Sequence, residues 1–317
     1  MKRIVFVFAV LLCVTAFVSC NKSGVYKSND KLSKVWYERE TVTTIDSVDH
    51  TSSTPKYLYE ECIWDGKYLA SRTVFRSNGE VKYNYVYEYN KKNKIIGITS
   101  TLAAEKKTRI RFIYDDDSKM LREIKYFTED FPDTELPYRW LVFSYDGNKL
   151  MSIKETINTH RFPRNSYEET SLLPYLVSEE MATSIAANEI MPKAEYDIKI
   201  NEYVFEWEKK NISHIKITTT IGENTTEANL SYTYDKSKNL QYGRVMGFIE
   251  DGGVNCLICS HNNVVSCTYE DSNKTYTEEC EYSYDKKVPV EKIVRRTETT
   301  GNAVSKVTEK WAYEYAE

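Results

Sequence analysis

Cys256-x-x-Cys259-x-His261, with Cys267 and Cys280 downstream, is the densest group of potential ligands in the chain. Thiolates and an imidazole at this spacing can hold zinc tetrahedrally. The same cysteines also suit a disulfide, which exported proteins favour on facing strands. A two-residue turn at Asn273-Lys274 would set Cys267 directly opposite Cys280. A third reading is thiols packed into a core. The spacing supports packed thiols first, a Cys267–Cys280 disulfide next and a metal least, so no cofactor is expected.

Other reactive residues are scattered. Glycoside hydrolysis needs two acids about 5–10 Å apart across a cleft. Asp65, Asp115, Asp146, Asp235 and Asp285 all sit where turns are expected, and the backbone explains them. The Asp115-Asp-Asp-Ser-Lys run lacks the glycine and distal glutamate of a calcium loop. His50, His160, His214 and His261 stand in unrelated contexts. No glycine-rich phosphate loop, nucleophile elbow or metalloprotease signature is present. Formal net charge is −4, and −6 without Lys2 and Arg3. A sequence-independent nucleic-acid binder needs a basic face, so none is expected.

The elements that would position these residues are strands. Tyr occurs 26 times in 317 residues, against 11 Gly and 7 Pro, and Tyr, Thr and Val suit pleated, half-buried surfaces. One phrase recurs: aromatic, any residue, aromatic, then Asp or a polar turn. Tyr87-Glu-Tyr89, Phe112-Ile-Tyr114, Phe143-Ser-Tyr145, Phe205-Glu-Trp207, Tyr232-Thr-Tyr234, Tyr282-Ser-Tyr284 and Tyr313-Glu-Tyr315 are copies, and Ile63-Trp64 is the first. The second aromatics fall at 64, 89, 114, 145, 207, 234, 284 and 315, a spacing of 25–31 residues with two gaps about twice as long. A unit of that length is a hairpin plus its connection. The paired aromatics face one side and Glu88, Arg109 and Arg111 the other, which is period-two amphipathicity. The aromatics could form a platform for sugars or peptides; core packing is the stronger reading.

The fold class is therefore all-β: an antiparallel hairpin-repeat meander, a strongly curled sheet or closed barrel, with one short helical insertion. In the second long gap Leu257–Val264 stands where a copy is expected. In the first, an insertion near 165–192 includes Ser178–Asn188, which reads as a helix capped by Ser178. Thr41–Pro55 reads as a loop or weak edge hairpin. Lys31–Val35 matches the second half of a copy and Trp311–Tyr315 the first half, so closure by pairing the first and last strands is expected.

Residues 1–20 are a targeting segment, with basic Lys2 and Arg3 before apolar Ile4–Val18. Its end, Phe17-Val18-Ser19-Cys20, resembles a bacterial lipobox, which implies acylation of Cys20. An ordinary secretory signal is the alternative. Residues 21–30 form a tether and 31–317 a single domain. Later apolar runs are too short to span a membrane as helices.

Cys20–Tyr26, Lys31-Leu-Ser-Lys-Val-Trp-Tyr37, Tyr57-Leu-Tyr-Glu, Trp64-Asp-Gly-Lys and the later aromatic-Asp turns resemble a group of uncharacterised lipoproteins from Bacteroidetes-type bacteria. The resemblance implies a porin-like, barrel-type fold and an envelope address. It implies no activity, since that group has no assigned catalytic residues.

The reading that follows is a non-enzymatic lipoprotein, a binding or structural β-scaffold. It would be held to the outer membrane through Cys20 and face the periplasm. Its partner would be an envelope protein, a glycan or a small apolar ligand. A secreted glycan-directed hydrolase with an acidic cleft and an integral outer-membrane barrel are the alternatives.

Overall fold

The computed structural model describes residues 31–102, 107–116, 120–128, 137–158, 198–239, 260–272, 275–300 and 303–316. Sixteen strands follow in order: β1 (Leu32–Ile45), β2 (Val48–Asp65), β3 (Tyr68–Phe75), β4 (Val81–Tyr89), β5 (Ile95–Leu102), β6 (Lys107–Tyr114), β7 (Leu121–Thr128), β8 (Arg139–Asp146), β9 (Lys149–Asn158), β10 (Ile198–Glu208), β11 (Asn211–Ile221), β12 (Asn224–Lys238), β13 (Asn262–Asp271), β14 (Thr275–Asp285), β15 (Val288–Thr300) and β16 (Ala303–Tyr315). Each pairs antiparallel with its neighbours in sequence, and β1 pairs with β16 to close the barrel. The seam runs from Leu32↔Tyr315 to Thr44↔Val304, and Ala316 N–H donates to the Lys31 carbonyl at 2.7 Å. The closure expected from the split repeat is thus observed.

Every copy of the aromatic phrase ends an even-numbered strand, so all the aromatic-Asp turns lie at one rim. Eight copies account for the sixteen described strands. Val264 pairs with Tyr234 just as Leu69 pairs with Trp64, so it is the returning residue of the copy at 234 rather than part of a ninth. Residues 257–259 and the expected insertion near 165–192, with its helix at 178–188, lie outside the described residues. Of the two readings of Thr41–Pro55 the hairpin is observed, though not at an edge: it forms the far halves of β1 and β2, joined at Asp46-Ser47.

A bulge recurs in register with the repeat. Opposite each aromatic pair the returning strand carries one extra residue: Ser33, Ala70, Ile96, Arg122, Met151, Ser213, Val265 or Val290. Bulges sharpen local twist and bend the strand, which helps a sheet curl into a barrel.

The repeat also fixes which way side chains point. The first aromatics Tyr87, Phe112, Phe143, Phe205, Tyr232 and Tyr313 are buried, with Ile98, Ile153, Ile215 and Leu230 beside them. A closed sheet has nothing of its own to cover its convex side, so the buried face is the concave one. The other face is polar. Arg109, Arg111 and Glu88 are exposed there, as expected. Half-exposed pairs bridge neighbouring strands: Lys154–Glu202 at 3.5 Å, Lys216–Glu227 at 2.7 Å, Arg295–Glu281 at 2.7 Å and Lys310–Glu38 at 3.7 Å.

The second aromatics stitch one copy to the copy before it. Trp64 Nε1 donates to the Leu32 carbonyl (2.7 Å), Tyr89 Oη to Leu69 (2.9 Å), Tyr114 Oη to Ile95 (2.8 Å), Trp207 Nε1 to Leu150 (2.8 Å) and Tyr315 Oη to Pro289 (2.6 Å). Tyr234 Oη donates likewise to Ile212. Each acceptor is the apolar residue that starts a returning strand. The aromatic thus fills the rim and satisfies a carbonyl that the bulge leaves available.

Candidate functional site

The inward face is not uniformly apolar. Among the described residues three ionic clusters are set into it, each nearly or fully shielded from water. On β8–β10, Arg139 Nε donates to Glu155 Oε1 at 2.6 Å, while Asn201 Nδ2 (2.7 Å) and Tyr203 Oη (2.9 Å) donate to Glu155 Oε2. Arg139 also lies 4.8 Å from the centre of the Tyr126 ring, and Thr219 Oγ1 donates to Asn201 Oδ1. On β2–β3, Arg72 and Glu60 meet at 2.8 Å, Cys62 donates to Glu60 Oε1, and Arg72 faces the Tyr85 ring. On β14–β16, Arg296 sits between Glu278 and Glu309, 3.4 Å from each, and Tyr37 Oη donates to Glu309 at 2.9 Å. A buried charge is tolerated only when paired and hydrogen-bonded, and each carboxylate here meets an arginine, Glu278 and Glu309 sharing Arg296.

Glu278 and Glu309 are two buried acids on either side of one arginine. The space between them is filled by the Arg296 guanidinium rather than open to a substrate. Arg139, Glu155 and Tyr203 are fully buried, so no solvent channel reaches them. These clusters act as polar pins within an apolar wall.

Cys280 belongs to the third cluster. Burial pushes its thiol up to about 11, Lys292 and Arg296 opposing the shift and Glu278 and Glu309 adding to it. It is therefore a protonated thiol at neutral pH, a poor nucleophile and a poor zinc ligand. Cys62, Cys267 and Cys280 are not in disulfides. The expected Cys267–Cys280 pairing does not occur because Cys267 lies opposite Glu278. Glu270 pairs with Thr275, so the connection is centred one residue earlier than a turn at Asn273-Lys274 would be, and Cys280 is displaced two residues along β14. Of the expected zinc candidates, Cys256 and Cys259 lie outside the described residues. Cys267 points into the barrel wall, whereas the His261 backbone is pinned at the rim, its carbonyl accepting from Asn239 N–H and its N–H donating to Lys210. Among the described residues no group of three potential ligands converges. Cys20 lies outside the described residues.

The copy at 234 is the one whose rim departs from the pattern. Asp235 Oδ1 accepts from the Ser237 N–H (2.9 Å) and the Asn263 N–H (3.2 Å), and its Oδ2 accepts from Tyr284 Oη. Asn263 Nδ2 donates to Tyr284 Oη at 2.8 Å. Tyr284 therefore turns to Asp235 instead of to a carbonyl. Burial, then the bond to Asp235, pushes its phenol up to about 12. Fully buried Asn239 and Ser260 close the knot, Asn239 Nδ2 donating to the Ser260 carbonyl and Ser260 Oγ accepting from Ile212 N–H. It clamps the two ends of the β12–β13 connection, a structural duty that the turn chemistry of Asp235 foreshadows.

No family model matches the chain, and no curated protein does. Among solved structures it is similar to a porin-like protein from Bacteroides uniformis, at 9% identity over 93% of this chain and 100% of that one, with a TM-score of 0.42. It is also similar to a porin-like protein from Bacteroides vulgatus, at 11% identity over 91% and 99%, with a TM-score of 0.33.

Proposed function

We propose that the protein is a non-enzymatic lipoprotein of the bacterial envelope, a β-barrel scaffold anchored through Cys20 and akin to the Bacteroidetes-type group its sequence resembles. The observation that carries this reading is the distribution of polarity. Exposed charged side chains stand on many strands of the outward face, among them Glu88, Arg111, Lys154, Lys216, Glu281 and Lys310, whereas a lipid-facing barrel needs a continuous apolar band about 25 Å tall. Each Lys or Arg at the bilayer midplane costs about 2–4 kcal/mol, which counts against an integral outer-membrane barrel. The buried acids of the inward face are paired with arginines, which counts against an acid-cleft hydrolase. An envelope protein or glycan met at a rim is the partner that this surface suits. The outer membrane, facing the periplasm, is the address that fits the residues after Cys20. The test is metabolic labelling with a palmitate analogue. Label on the wild type, its loss in Cys20→Ala and release of that variant into the soluble fraction are expected. Unlabelled wild type would overturn the anchor.

A further inference from the structure

The two rims of the barrel differ in charge, and the difference is concentrated at the tightest turns. At the rim that carries the aromatic phrases, the tips of three two-residue turns are Gly66-Lys67, Lys209-Lys210 and Lys286-Lys287. At the opposite rim the two-residue tips Asp46-Ser47 and Gly222-Glu223 carry acids. All five lysines are exposed.

Three of these lysines hold their places against backbone preference. Lys209 has φ +57 at a position that Gly66 (+56), Gly147 (+55) and Gly222 (+59) occupy in the equivalent turns. Lys286 (+46) and Lys287 (+79) are both left-handed, in a turn that favours Asn-Gly. Left-handed backbone is unfavourable for any residue with a side chain, and such outliers point to a use for the side chain. Each turn also has an acid, Asp65, Glu208 or Asp285, but these sit in the strand pair at the base of the turn, one residue behind the lysines. Glu208 Oε1 lies 4.0 Å from Lys209 Nζ, with both groups exposed. Lys286 and Lys287 make no ion pair among the described residues.

The first described residue, Lys31, lies at this same rim beside Ala316. Ten residues, 21–30, separate it from Cys20, a reach of at most about 35 Å. The chain therefore enters the barrel from its tether at the lysine-tipped end.

We infer that the lysine-tipped aromatic rim is a docking surface for the anionic phosphates of a phospholipid bilayer, seating the barrel upright with its acidic rim away from the membrane. The inference rests on the Cys20 anchor for its geometry. Charge supplies the orientation: basic groups close to an anionic leaflet are attracted, and acidic ones are repelled, within a Debye length.

The full lipidated chain is reconstituted on phosphatidylcholine vesicles with and without phosphatidylglycerol, and each lysine is probed with a membrane-impermeant amine reagent and mass spectrometry. Lys209, Lys286 and Lys287 should be protected at least about threefold on the anionic vesicles, with protection lost in high salt. Lys107 and Lys306, towards the opposite rim, should be unaffected. A Lys209→Gly, Lys286→Asn, Lys287→Gly variant suits its turns better than the wild type, so it folds. In it, protection of Lys67 should fall to the neutral-vesicle value. Attachment to both vesicles with equal protection overturns the rim and leaves the anchor standing. Attachment to anionic vesicles alone supports the rim and overturns the anchor. Attachment to neither overturns both.

Discussion

Glu155 accepts three hydrogen bonds at a place closed to water, and Arg139 depends on it for charge balance. Glu155→Ala strands the guanidinium, so a loss of about 3–5 kcal/mol is expected as a lower urea midpoint. Arg139→Met combined with Glu155→Leu should cost far less, because apolar replacement of a buried pair is often neutral. Equal losses in single and double variants would show that the pin is not electrostatic. A second expectation concerns alkali. Tyr284 is raised from 10.0 to about 12 and Cys280 from 9.0 to about 11, so the fold favours both neutral forms. Their contributions are complete below the lower value of each pair and are lost as pH rises through the upper one. Tyr284→Phe should therefore flatten the pH 10–12 part of the stability profile, and folded Cys280 should resist iodoacetamide at neutral pH yet react once unfolded. None of these pins was legible from alternation. Counting by twos from Leu150 puts Ser152 and Lys154 inside, whereas the extra residue Met151 turns Ile153 and Glu155 inward instead.

The bulged hairpin is the unit that makes this inversion systematic. The turns themselves were readable, since Asp, Gly and Asn announce them, and the outward placement of Arg109 and Arg111 followed because they precede their bulge. The bulge has no residue signature: Ser33, Ala70, Ile96 and Arg122 share no chemistry. A period-two reading therefore holds up to each aromatic turn and is off by one beyond it. Deleting Met151 should return Ile153 to the outside and expose Glu155, with loss of the cooperative unfolding transition. Deletion of a tip residue such as Asn148 should be milder. The turns also offer stabilising changes. Lys209→Gly, and separately Lys286→Asn with Lys287→Gly, should raise stability by about 1 kcal/mol each, read as a higher Tm, because glycine carries no left-handed penalty. No gain would mean that the tips are unstrained. The β13–β14 connection shows the opposite limit: without a glycine or a tight-turn pair to mark its centre, the sequence does not announce the register that places Cys280 two residues beyond the partner of Cys267.

At the scale of the molecule the closure was the most legible feature, because half a repeat at each end can be completed only by pairing the ends. The seam is in effect an eighth hairpin whose turn is missing. Joining residue 316 to residue 31 through a short linker and opening the chain at Gly222-Glu223 should give a folded barrel with unchanged circular dichroism. Failure to fold would show that the order of synthesis matters. Opening within β10 instead should abolish folding. The order of the strands has one more consequence. β1 must wait for a partner some 280 residues away, as in the Ser33 to Glu314 hydrogen bond across 281 positions, and until then it presents an open ladder of donors and acceptors. A molecule that loses β16 exposes two such edges at once. The seam thus serves as a check on completeness: only a chain that arrives intact can hide its own edges, and a clipped one is marked for aggregation or proteolysis from the moment it fails to close.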